Sequence, residues 1–177
     1  MPDQRCWDCL LYTSENLRFT DVTFKGKYSF QYIENAVFEN CRLDTKDAFW
    51  HAKDVTVRDS VVKGEYLGWY SEGLTLIRCK IIGTQPLCYC KKLKLVDCQM
   101  EEADLCFEKS QVEATVTTPV ISIKNPAEGR IQVPWVGEVI QDDPHAKGEI
   151  VQVEPEGHAA GNGAGPESSG NGGGDCA

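Results

Sequence analysis

Apolar and polar positions recur along most of this chain with a spacing of 19 residues. Written in lines of 19 from Leu10, the sequence falls into six lines without a gap. The eighth column then reads Leu17, Ala36, Val55, Leu74, Leu93, Val112, and the tenth Phe19, Phe38, Val57, Leu76, Leu95, Ala114. Between them stand Arg18, Val37, Thr56, Thr75, Lys94 and Glu113, so the alternation has period two and predicts a strand with one buried face. A second short strand is predicted by the inward columns Val22, Cys41, Ser60, Cys79, Cys98 and Phe24, Leu43, Val62, Ile81, Met100. Gly26, Gly64 and Gly83 share a later column where a positive φ would turn the chain. Each line therefore reads as strand, bend, strand, turn, strand, and no segment shows a 3.6-residue apolar period.

A gap-free repeat of this length predicts an all-β solenoid, a parallel β-helix of about six rungs stacked about 4.8 Å apart. The β-helix is assigned to residues 1–143, incomplete at its N-terminal end because Met1–Cys9 fits the inward columns poorly. "VISIKNPAEGRIQVPWVGEVI" keeps strand character on both sides of a turn, so residues 120–140 are expected to cap the stack. Residues 144–177 are polar, and "GHAAGNGAGPESSGNGGGDCA" holds eight of the sixteen glycines, a composition that predicts a disordered tail.

A formal net charge of −9 argues against nucleic acid and against anionic membranes, both of which need clustered Lys and Arg. No apolar run reaches membrane-spanning length and the N-terminus has no signal-like segment, so a cytoplasmic protein is expected. Nine cysteines and no glycosylation acceptor fit reduced, mostly buried thiols. Cys6-x-x-Cys9 and Cys88-x-Cys90 lack a partner pair at zinc-site spacing, so no metal or other cofactor is expected.

The motifs "KDAFW", "GEYLGW", "TQPLCY", "ADLCFE" and "SIKNP", in that order, resemble a bacterial family known as domain of unknown function 3737. The likeness runs from about Asp8 to Ile140 and corresponds to the C-terminal part of that family. It implies the right-handed β-helix of pectate-lyase-like proteins and, by fold analogy alone, a relation to carbohydrate-active proteins.

Candidate chemistry clusters at the turn that ends each line. There Tyr28, Asp47, Tyr66, Gln85 and Asp104 form one column, Trp50 and Trp69 a second, and Tyr32, His51, Tyr70, Tyr89 and Glu108 a third. Alternation predicts the tryptophans packed and the tyrosine ladder exposed. Such a ladder beside carboxylates is a platform for sugar rings, although stacked rungs also align like side chains for purely structural reasons. Asp47 and Asp104 lie three rungs apart, about 14 Å at the strand spacing, too far for a glycosidase pair. Asp47 and Glu65 are one rung apart, a separation compatible with acid/base work. His51 has no matching Ser or Cys with an orienting acid.

The residues thus predict a saccharide- or protein-binding solenoid, with Trp50, His51, Tyr66, Trp69, Tyr70, Tyr89, Asp104 and Glu108 as ligand contacts. The alternative is a carbohydrate-active enzyme, a polysaccharide lyase or glycoside hydrolase, in which Asp47 and Glu65 are catalytic. Self-association through the open N-terminal rung is the further expectation.

Overall fold

A computed structural model describes residues 11–154, all of it strands, bends and turns. The N-terminal half-rung, Cys6, Cys9 and the Gly-rich segment from residue 155 onward lie outside the described residues, as does the open end expected to self-associate.

The chain winds as a β-solenoid in which every strand pairs in parallel with its counterpart one turn later. One side is built from β1 (Glu15–Thr20), β3 (Glu34–Glu39), β5 (Lys53–Arg58), β7 (Thr75–Ile77), the first half of β9 (Leu93–Glu101), β10 (Gln111–Val116), β12 (Glu128–Val133) and β14 (Glu149–Gln152). A second side is built from β2 (Thr23–Lys27), β4 (Arg42–Lys46), β6 (Val61–Lys63), β8 (Lys80–Ile82) and the second half of β9. The register is that of the 19-residue columns: Leu17 opposes Ala36, Ala36 opposes Val55, and Phe24 opposes Leu43. Inward columns of Phe, Val and Leu stack into one core, in which Phe19 and Phe38 lie 4.9 Å apart and nearly parallel.

The third side departs from the strand expected there. In each turn every second residue is left-handed: Tyr28, Phe30, Tyr32, then Asp47, Phe49, His51, then Tyr66, Gly68, Tyr70, then Gln85, Leu87, Tyr89, with φ between 48° and 72°. Non-glycine residues pay roughly 1–2 kcal/mol each for this conformation. The cost is offset because the corner amides still bond from turn to turn: Tyr28 N–H donates to Lys46 O at 2.9 Å, Asp47 to Glu65 O at 3.0 Å and Tyr66 to Thr84 O at 3.1 Å. Simple two-faced alternation is lost as a consequence. Phe49 is buried, Trp50 is half-buried and His51 is exposed, three successive residues with three environments.

Further differences appear toward the C-terminus. The Gln85 amide donates to Asp104 O, one residue further along than the previous turns would place it, so an extra residue is absorbed near left-handed Glu102. The corner of the sixth line is thus out of step by one until Val112, which again opposes Leu93. Residues 120–140 are further turns of the solenoid: β10 pairs with β12, and β11 (Val120–Lys124) pairs with β13 (Val136–Ile140), all in parallel. Order also passes Asp143, since β14 pairs with β12 in the same sense; Ile150 supplies the apolar contact that the polar composition concealed.

Gly26 sits inside β2, whereas Gly64 and Gly83 have the positive φ expected of them. A Cβ on Gly64 would lie 2.1 Å from Thr45 O, and one on Gly83 would lie 2.3 Å from Gly64 O, so each turn presses on its predecessor's backbone. Gly64→Ala is expected to destabilise the fold by about 2–4 kcal/mol, while Lys94→Ala, on an outward position, should change it by less than about 0.5 kcal/mol. Urea unfolding followed by circular dichroism checks the contrast.

Candidate functional site

The aromatic columns assemble on the third side. Tyr32, His51, Tyr70 and Tyr89 form a ladder with ring centroids 4.7, 5.0 and 5.0 Å apart and interplanar angles of 8°, 10° and 12°. Tyr12 extends it at 5.1 Å with a tilted ring. Because each ring lies face to face with the next, the ladder turns edges and hydroxyls outward. Its ring faces are occupied.

Trp50 and Trp69 stack at 5.6 Å and 2°, inside the ladder. Their indole N–H groups donate to Tyr66 O at 2.8 Å and Gln85 O at 2.7 Å. Gln31 Nε2 makes the equivalent bond to Asp47 O at 3.3 Å one turn earlier. The column therefore selects a side-chain donor that satisfies a corner carbonyl, and tryptophan adds apolar area to it. Tyr66 packs its edge against Trp69 at 5.2 Å and receives the Lys46 ammonium 5.3 Å from its ring centre.

Asp47 and Glu65 occupy adjoining turns but different environments. Asp47 is only 6% exposed and its Oδ1 is buried without a hydrogen-bond partner. Burial pushes its carboxyl above the usual aspartate value; the Lys46 charge pulls it down in part, and the Glu65 charge raises it further. Glu65 is exposed and ion-paired with Lys46 at 3.1 Å, which holds the lysine above its ordinary value. A buried carboxyl beside an exposed, ion-paired one is an arrangement that acid/base chemistry can use. A substrate, however, would need to reach both groups. The hollows around Arg42, around Arg78 and around His145 do not include Asp47 or Glu65.

Asp104 Oδ1 accepts a hydrogen bond from Ser122 Oγ at 2.6 Å. The one-residue slip carries Glu108 out of the tyrosine column: its backbone carbonyl accepts from the Tyr89 N–H, and Lys109 takes the next left-handed position. The Glu108 carboxylate still meets Tyr89 Oη at 3.4 Å and pairs with Lys124 at 3.1 Å. Burial, then the Glu108 charge, raises the Tyr89 phenol.

Beyond the ladder the third side continues through Cys106 and Ile123, which form a parallel bridge, into β11 and β13. There Ile121, Trp135 and Val139 are exposed, and the Trp135 ring lies over Gly137, 3.3 Å from where a Cβ would stand. Together with Tyr12, Tyr28, Tyr32 and Tyr70, these residues are 42–56% exposed and share one side; Val153 is the only other large hydrophobic exposed among the described residues. Sequence reasoning missed Tyr12, Tyr28 and Trp135 as surface residues. The signal for Trp135 was its neighbour Gly137, which leaves room for a ring on an outward strand position.

The six described cysteines are free and buried, and no group of three or more His, Cys, Asp or Glu side chains among the described residues is placed to hold a metal. The thiols of Cys41, Cys79, Cys90 and Cys98 donate to backbone carbonyls of the preceding turn, as Cys79 does to Val57 O at 3.3 Å and Cys98 to Leu76 O at 3.3 Å. Burial pushes Cys88 up to about 12 and Cys90 up to about 11. No helix of the described residues is long and apolar enough to cross a membrane.

A family model described as "Protein of unknown function (DUF3737)" matches residues 5–154. The chain belongs to that family. No curated protein and no solved structure gives a significant match.

Two outcomes follow for this site. A carboxyl whose folded pKa exceeds its unfolded value binds more protons in the native state between the two values, so stability falls as pH rises through that window and then levels off. Asp47→Asn removes this contribution: its unfolding midpoint should exceed the parent's at neutral pH, with the gap closing in acid. Urea titrations across the acid-to-neutral range read this, and an unchanged pH slope contradicts it. Iodoacetamide with peptide mapping should leave Cys41, Cys79, Cys88, Cys90, Cys98 and Cys106 unlabelled until the protein is unfolded.

Proposed function

We propose that the DUF3737 chain is a non-catalytic binding solenoid whose third side docks a polypeptide partner. The observation that supports this reading is the gathering of seven exposed large hydrophobics, four of them tyrosines and one a tryptophan, on one side of three. Tyr and Trp are enriched at protein contact surfaces, where an apolar body is buried while a hydroxyl or N–H finds a polar partner. Contiguous apolar exposure on a soluble domain marks interaction sites. The left-handed corners hold these rings in fixed register, which lowers the ordering cost of association.

Catalysis by Asp47 and Glu65 is the weaker reading, because Asp47 is enclosed and Glu65 is neutralised by Lys46. Saccharide binding draws support from one feature, Trp135, which is exposed beside Gly137. The ladder itself lends sugar stacking little, since its ring faces are covered by one another.

A photo-crosslinking phenylalanine analogue placed at position 70 should trap one discrete polypeptide in cells, and the same analogue at position 94 on the first side should not. The purified partner should then bind the parent chain and lose about tenfold or more in affinity to Tyr70→Ala, the loss expected of a contact hot spot. Equal labelling from both positions defeats the proposal. Retention by a panel of soluble polysaccharides that Trp135→Ala abolishes would replace it with the saccharide reading.

A further inference from the structure

Charge is distributed unevenly over the three sides. The chain is formally −9, and about half of its described cations are matched by a carboxylate on a neighbouring turn. Arg18 and Arg58 share Glu39, Lys53 meets Glu34, Arg78 holds Asp59 at 2.7 Å, and Lys92 meets Glu72. On the second side Lys46 and Lys80 are paired by Glu65 and Glu101. Eight described cations have no such partner among the described residues, and three of them, Lys25, Arg42 and Lys63, differ from the rest in lining a common hollow.

These three cations surround one hollow. β2, β4 and β6 pair so that Lys25 opposes Asp44, Asp44 opposes Lys63, Thr23 opposes Arg42 and Arg42 opposes Val61. The hollow they line has a volume of about 260 Å³, with Lys25 and Lys63 two turns apart and Arg42 on the turn between them. Thr23 contributes a hydroxyl and Asp44 the single carboxylate.

We infer that this hollow on the outer face of β2, β4 and β6 binds a phosphate monoester through Lys25, Arg42 and Lys63. Its volume falls below the roughly 300–1,000 Å³ of sites that enclose a drug-sized ligand, so it takes one anionic group and leaves the remainder of the molecule outside. Three cations and one carboxylate leave a net charge of two, which matches the roughly −1.5 to −2 of a phosphate monoester at neutral pH. Arg42 supplies the forked donor set that phosphate oxygens accept in pairs, and the lysines act as point charges on either side. Asp44 tempers the site, since its charge opposes the ligand's. The inference is independent of the polypeptide-docking proposal, which concerns another side.

Isothermal titration calorimetry of the full chain at low salt with inorganic phosphate and with phenyl phosphate tests it. Saturable binding at millimolar ligand or below is expected, weakened about tenfold or more in Arg42→Gln, the loss of one charge-assisted contact. Asp44→Asn should tighten the same binding several-fold, by removing a nearby like charge. That gain separates a ligand site from a structural role, because a variant that merely loosens the fold cannot bind better. Binding of both probes supports the ester-accepting site, whereas binding of inorganic phosphate alone overturns the assignment of an ester. Absence of saturable binding, or affinities unmoved by both substitutions, overturns it. Should Arg42→Gln fail to fold, Asp44→Asn decides alone.

Discussion

Everything in this molecule depends on one constraint: the backbone of each turn must donate and accept hydrogen bonds in parallel with the turn before it. Along the first two sides ordinary strands meet that demand. At the corners it is met by alternating left-handed residues whose amides reach the next turn's carbonyls. Once the backbone repeats, each side chain stands above its counterpart one turn away. Like residues then stack into ladders: Phe on Phe in the core, Asn35 on Asn16 at 2.6 Å, Arg78 on Asp59, Tyr on His on Tyr outside.

The same constraint explains residues that look chemical in isolation. Cys41, Cys79 and Cys98 are small inward residues whose thiols bond carbonyls of the preceding turn. The tryptophan N–H groups serve corner carbonyls, as an amide does at Gln31. What stacking does not require is more telling. A buried carboxyl without a partner at Asp47, three cations around a hollow with a single carboxylate among them, and a whole side of exposed aromatic edges each exceed what the backbone demands.

Much of this was legible in the columns. The first two strands of each turn follow from apolar alternation, because a buried face at strand spacing leaves an unmistakable period of two. The third side was not legible, since residues such as Phe49, Trp50 and His51 give no sign that their φ values alternate in hand. Reading that segment as a strand still separated packed Trp50 from exposed His51. It could not anticipate the enclosure of Asp47 or the ion pair of Glu65 with Lys46, because both depend on contacts between turns. The slip near Glu102, which moves Glu108 by one column, left no mark in the repeat because the chain recovers the lost residue before β10, where Val112 again opposes Leu93.

If the third side is a rigid surface built for contact, its corners must be as firmly bonded as the strands. Residue-resolved amide hydrogen exchange on the full chain measures this directly. The amides of Tyr28, Asp47, Tyr66 and Gln85 should be protected to the same degree as those of β3 and β5, because each donates to the neighbouring turn. Corners that exchange as freely as surface loops, beneath strands that remain protected, would contradict it.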